Sequence, residues 1–241
     1  MNSFDNIPVV RPIWDDIPWA IAFTTVAYSD DKTYNFKAGE SDEARAVLKE
    51  QLGVDTMVWL TLNHGNNVIT VPHHDGSGFA DAVIVGEEGY AAAITTADCL
   101  PVIVASPSSR QIAAIHAGWK GIANGVIENT LKIMSEDEFF HPEQVKAWIG
   151  PAVKDDYEIM QDARNVLLDS PNVFESNFVP TSPEHFLADL STMVKQKLSG
   201  FGITDSQVEV FPESTLSSNR FFSARKEGIE TGRMGTVVGI I

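Results

Sequence analysis

The chain shows two kinds of apolar spacing. Through its middle, short β-type runs recur at Met57–Leu62, Asn67–Val71, Ala82–Val85, Ala91–Thr95, Pro101–Ala105 and Gln111–His116. Clusters of Gly, Asn, Asp and Ser separate these runs and mark turns. Trp19–Val26, Lys146–Ile149, Val208–Phe211 and Thr236–Ile240 read as further strands. Elsewhere the apolar positions fall three and four apart, the helical period. Ala44, Val47, Leu48 and Leu52 share one face behind Ser41 as N-cap, with Asp42 and Glu43 in the first turn and Gly53 as the stop. Gly121–Met134 carries Ile122, Val126, Ile127, Leu131 and Met134 on a second stripe, and Gln161–Leu168 predicts a third helix. Ser182-Pro183 predicts the start of a fourth, with Pro at the first helical position, continuing through Leu187, Leu190, Val194 and Leu198 to Gly200. Pro8, Pro12 and Pro18 keep residues 1–18 extended. No repeat, low-complexity tract or linker interrupts the pattern, so the expectation is one α+β domain over residues 1–241.

Composition narrows the class. Hydrophobic residues make up 44% of 241, enough for a substantial core. The formal net charge of -16 argues against nucleic acid or an anionic membrane as partner, since both reward basic patches. A local basic pocket for an anionic small molecule remains compatible with it. A single cysteine excludes an intramolecular disulfide. Met1–Pro8 lacks the basic and then apolar pattern of a secretory signal, and no apolar run reaches bilayer-spanning length. The expectation is a soluble, cytoplasmic protein with a small-molecule substrate.

The candidate chemistry centres on that cysteine, Cys99, and on His64 and His116. Each lies at or just after the end of a strand-like run, where a side chain can be held rigidly and still face a cleft. Two imidazoles and a thiolate make a three-ligand zinc set with the fourth position open, as a catalytic zinc requires. The plainer alternatives are a buried, inert cysteine with two structural histidines, or a thiol enzyme without metal. Around Cys99, the small or polar Thr95, Thr96, Ala97 and Asp98, with Pro101 just after, describe a tight turn better than a core strand. Gly65 and Gly118 follow the histidines closely and would let a ligand approach. Lys120, just before a predicted helix, could meet a phosphate or carboxylate, or be an ordinary solvated lysine. Arg225, Lys226 and Arg233 could clamp an anion or pair with surface carboxylates. His73-His74-Asp75 sits beside Gly76 and Ser77 and reads as an exposed loop.

These residues resemble the YfiH-like family, also called the laccase-domain or peptidoglycan-editing-factor family. The resemblance is carried by His64-Gly65, Ala80-Asp81-Ala82, Thr96-Ala97-Asp98-Cys99-Leu100-Pro101, His116-Ala117-Gly118-Trp119-Lys120-Gly121, Gly150-Pro151-Ala152, Phe221-Phe222-Ser223 and Thr231-Gly232-Arg233-Met234. It implies a four-layer α/β/β/α sandwich in which His64, Cys99 and His116 are zinc ligands lining the active site. Members are described as purine nucleoside phosphorylases that also deaminate adenosine and cleave methylthioadenosine. Others are described as editing cell-wall precursors, and an older label is copper polyphenol oxidase. The chain departs from the family pattern at Leu62, where Gln is common, and at Thr24–Tyr28, where Val26 falls in a stretch lacking the usual arginine. It also has Asp156 where Cys is common, and no second cysteine near Glu213–Thr215. Substrate choice is where these departures bear.

Four readings follow. In the first, a zinc at His64, Cys99 and His116 serves a purine nucleoside phosphorylase and adenosine deaminase. Cys99 and His116 act catalytically, Asp98 orients a ligand or moves a proton, and Lys120 and Arg225, then Arg233, bind phosphate. In the second, the same zinc, or a Cys99–His116 thiol pair without metal, hydrolyses an amide of a nucleotide-linked peptidoglycan precursor. The third, copper oxidation of phenols at the same site, ranks last among the enzymatic readings, because six histidines and one cysteine are few for a multi-centre copper oxidase. The fourth is a closed structural zinc site in a binding module, which needs a fourth ligand from Asp98 or His73-His74.

Overall fold

The structure, a computed structural model, describes residues 7–29 and 32–241; the expected extended segment before Ile7 lies outside them. Two large sheets form the frame. The first orders its strands Val9–Val10, Ala20–Thr25, Met234–Ile240, Tyr90–Thr96 and Thr56–Trp59. The second orders them Val208–Val210, Lys146–Ile149, Leu100–Ser106, Gln111–Ala117, Ala82–Val85 and Val68–Val71. Pairing is antiparallel except where Thr56–Trp59, Val68–Val71 and Val208–Val210 join their neighbours in parallel. The helices are α1 (Asp42–Leu52), α2 (Trp119–Asn124), α3 (Val126–Met134), α4 (Gln161–Leu168), α5 (Leu190–Ser199) and α6 (Ala224–Glu227). The mixed α+β expectation holds.

The side-chain period of a strand assigns each face. Val83, Val85, Ile103, Ala105, Ile112 and Ala114 of the second sheet meet Val58, Ala92, Ile94, Val238 and Ile240 of the first. The alternate residues Ala82, Ile84, Val102, Val104, Ala113 and Ile115 turn the other way, onto Ile122, Val126, Leu131, Val194 and Leu198 of α2, α3 and α5. The outer face of the first sheet packs on Leu48 and Leu52 of α1. Leu100–Ser106, Ala82–Val85 and Met234–Ile240 are consequently buried at every position, because both their faces are covered. Each fully buried aliphatic side chain contributes roughly 1.5–3 kcal/mol, so the strand ends are held by a rigid, double-sided core. No helix among the described residues is long and apolar enough to cross a membrane.

Three local expectations change. Ser182-Pro183 does not start a helix: Phe178–Ser182 and His185–Ala188 pair as an antiparallel hairpin, with Phe178 opposite Ala188. Period-two burial wins here, since Phe178 and Ala188 enter the core while Val179 stays exposed. The helix starts instead at Leu190, where the Asp189 carboxylate caps it by accepting from Thr192 N at 2.9 Å. The stripe over Gly121–Met134 is two helices, beginning at Trp119 and broken at Gly125, whose φ of 83° suits glycine. Ser41 does precede α1, but its hydroxyl donates to Lys37 O and does not cap the helix.

Asp189→Ala is expected to lower stability by about 1 kcal/mol through loss of the cap. The check is a lower urea midpoint with an unchanged slope.

Candidate active site

The central hairpin of the second sheet builds the site. Its register sets His116 opposite Pro101 and Ala117 opposite Leu100, which brings Cys99 beside His116. Ile115 and Ala117 point into the helix-side core, so strand alternation turns His116 to the other face. His64 arrives from the loop after Thr56–Trp59 with a left-handed backbone, φ 60°. The Cys99 Sγ lies 3.9 Å from His64 Nε2, and the two imidazole rings are 4.8 Å apart at 72°. One ligand atom from each of His64, Cys99 and His116 falls within 4.8 Å of the others.

The organising group is Asp81, fully buried at the start of Ala82–Val85. Its Oδ1 accepts from His116 Nδ1 at 2.8 Å and from the His64 backbone N at 2.9 Å. Its Oδ2 accepts from Gly65 N at 2.8 Å and Asn63 N at 3.3 Å. A carboxylate that only accepts makes His116 Nδ1 the donor and leaves Nε2 as the nitrogen that could coordinate a metal. Sequence reasoning assigned Asp81 no role. The available signal was an acidic residue leading directly into an unbroken apolar run, a position that burial makes costly unless the charge is paired.

Three features of these residues fit a bound metal. Thiolate and imidazole are the donors that zinc and copper take. A carboxylate behind one histidine is the usual support for such a ligand. Gly118 leaves the space open, since a Cβ there would lie 2.9 Å from Cys99 Sγ and 3.1 Å from His64 Cδ2. Burial pushes the Cys99 thiol up, but the His116 charge and hydrogen bonds to both histidines outweigh it and bring the thiol down to about 6. Burial likewise pushes His116 down, while the thiolate and Asp81 raise it to about 9. Each group thus favours the charged form of the other.

The other expected residues divide. Cys99, His64 and His116 line a cleft of about 620 Å³ together with Asp98, Arg225 and Arg233, a size suited to a small molecule. Asp98 sits at φ 91°, and its carboxylate accepts from Thr215 Oγ1 and Arg225 N, each at 2.7 Å. It therefore fixes the backbone of Arg225. The Arg225 guanidinium stands 4.7 Å over the Tyr157 ring. Arg233 spends its guanidinium on the carbonyls of Ile229, Thr231 and Gly232. Lys120 is exposed on α2, its ammonium 5.5 Å from the Trp119 ring, and does not line the cleft. His73, His74 and Asp75 line a different depression beside Pro72. Of the family departures, Leu62 borders the cleft. Val26 is buried against Phe221 and Phe222, Asp156 accepts from Ser214, and Glu213 pairs with Arg220.

Residues 32–241 match the family described as multi-copper polyphenol oxidoreductase laccase. The chain belongs to this family. It is 32% identical over 246 residues to a Haemophilus influenzae protein named purine nucleoside phosphorylase, covering 95% of this chain and 98% of that one. It is 30% identical over 186 residues to the Escherichia coli purine nucleoside phosphorylase YfiH, covering 76% and 74%. The crystal structure of the Bacillus licheniformis hypothetical protein YfiH superposes with a TM-score of 0.86 at 21% identity, covering 97% of each chain, and shares the fold.

Two outcomes are expected. Asp81→Asn should weaken metal binding by roughly 10–100-fold, because it removes the charge behind His116 and turns one of two accepting oxygens into an amide donor facing N–H groups; competition with a chromogenic chelator measures it. In metal-free protein, Cys99 alkylation should rise through a midpoint near pH 6, since the thiol titrates at about 6. A free cysteine would respond near pH 8.5.

Proposed function

We propose that this chain is a zinc-dependent purine nucleoside phosphorylase that also deaminates adenosine and cleaves methylthioadenosine. The observation that carries the reading is a three-donor site opening into a cleft whose charge opposes that of the chain. The cleft is lined by four cations, Lys37, Arg45, Arg225 and Arg233, against one carboxylate, Asp98. The whole chain has 17 basic and 33 acidic residues. A basic pocket in an acidic protein suits an anionic co-substrate such as phosphate. The names of the two sequence relatives support the same chemistry.

His64, Cys99 and His116 would hold the ion, with Asp81 orienting His116. The ion would supply Lewis-acid polarisation and an acidified water, as deamination needs. Among the described residues no further His, Cys, Asp or Glu joins the cluster, which leaves room for substrate and favours the catalytic reading over a closed structural site. Leu60, Leu62 and Ile229 provide apolar lining for a purine. Arg225, stacked on Tyr157 and anchored through its backbone to Asp98, would hold phosphate near the donor triad. In phosphorolysis a hydrogen phosphate oxygen bonds to the ribose anomeric carbon and the bond to the purine nitrogen breaks. That electron pair leaves with the purine, which takes up the proton that phosphate brought. The products are free purine and ribose 1-phosphate.

Zinc-loaded protein incubated with adenosine and phosphate is expected to yield adenine and ribose 1-phosphate, with inosine marking deamination, by mass spectrometry of products. Unchanged adenosine with the ion confirmed bound overturns the reading. Cys99→Ala should lose metal and turnover together; retained metal with full turnover contradicts the assignment of that thiol.

A further inference from the structure

Arg45 was not singled out by its sequence context, yet it is a half-buried cation of the cleft with no ion pair among the described residues. It lies on α1 and reaches over the Trp59 ring, 4.3 Å from its centre, while Phe36 stacks on the same indole at 5.5 Å and 7°. One guanidinium nitrogen, Nη2, donates to Phe36 O at 2.7 Å. The Nε is buried and has no partner. No carboxylate among the described residues lies within ion-pair distance of it; Asp42, one turn back on α1, attracts it only from further away.

Two of the other cleft cations are already engaged. Lys37 pairs with Glu40 and Glu230, and Arg233 is taken up by three carbonyls. Arg225 is exposed and stacked on Tyr157. Arg45 combines partial burial, a rigid aromatic shelf and donors with no protein acceptor. Burial pulls its pKa below the usual arginine value, so its charge stands to gain from an anion. The remaining Nη hydrogens, on a guanidinium held over the Trp59 ring, suit a phosphate oxyanion.

We infer that Arg45, held on Trp59, is an oxyanion-binding residue of this cleft, taking phosphate either as a free co-substrate or as an ester carried on the substrate. The inference rests on this cleft being the ligand site of the proposed function, but not on phosphorolysis being the reaction. It also places recognition on α1, away from the strand-end motifs that hold the metal ligands.

The test uses zinc-loaded protein, wild type, Arg45→Gln and Arg45→Lys. Calorimetry would measure binding of inorganic phosphate, of a nucleoside 5′-monophosphate and of adenosine. Thermal unfolding confirms that each variant is folded, and Arg45→Lys keeps the charge and the alkyl stem over Trp59 should Arg45→Gln fail to fold. The expected result is at least a tenfold loss of phosphate or monophosphate affinity in Arg45→Gln, a smaller loss in Arg45→Lys, and adenosine binding within twofold of wild type. Loss confined to inorganic phosphate identifies the co-substrate. Loss confined to the monophosphate identifies an ester on the substrate, and upholds the arginine's role while phosphorolysis fails. Unchanged phosphate and monophosphate binding in both variants, an equal loss of adenosine binding, or no binding of either phosphate by wild type overturns the inference.

Discussion

The buried carboxylate of Asp81 is the constraint on which the site depends. It accepts from one imidazole and from three successive backbone amides of the loop that carries the other histidine. An unpaired carboxylate at full burial would be strongly unfavourable, so the loop and His116 must come together around it. The backbone oxygen of Asp81 also accepts from His116 N at 2.7 Å, closing the link in both directions. One residue thereby sets the ring orientation of His116, the left-handed turn at His64 and the distance between them.

Behind that arrangement stand strands packed on both faces. The second sheet is covered by the first sheet on one face and by helices on the other. Side chains at its ends are held by this packing, while the cleft takes its walls from segments far apart in sequence. Asp98 shows how those walls are joined. Its carboxylate binds Thr215 and the Arg225 backbone, and its carbonyl accepts from Val153 N at 2.9 Å. Residues that look catalytic by position can thus serve the site by fastening its parts.

The cleft separates two kinds of work. Cys99 and His116 lie at strand ends of the second sheet, and His64 is brought to them by a loop that Asp81 fastens. Cations come from α1, from the segment at Lys37, from α6 and from the turn before Met234–Ile240. This division lets the surface stay strongly acidic, which favours solubility, while the pocket remains basic.

Much of this was legible in the chain itself. Period-two and helical spacing located both central sheets and α1, because burial on defined faces leaves a periodic trace. The grouping of His64, Cys99 and His116 was also legible, since each follows or ends a strand-like run beside glycine or small residues, although the strand before His64 stops at Trp59. The hairpin at Phe178–Ala188 was not, because Ser-Pro is a good helix start locally and only packing of Phe178 and Ala188 against the core favours strands. Lys120 and Arg225 look alike as isolated cations, yet one is solvated on α2 and the other enters the cleft. Arg45 reads as the polar side of an amphipathic helix until Trp59 is brought beneath it. Sequence alone determined which residue types and periods were present. Tertiary structure decided which of them meet, because hydrogen-bond partners and pocket walls come from segments separated by tens to hundreds of residues.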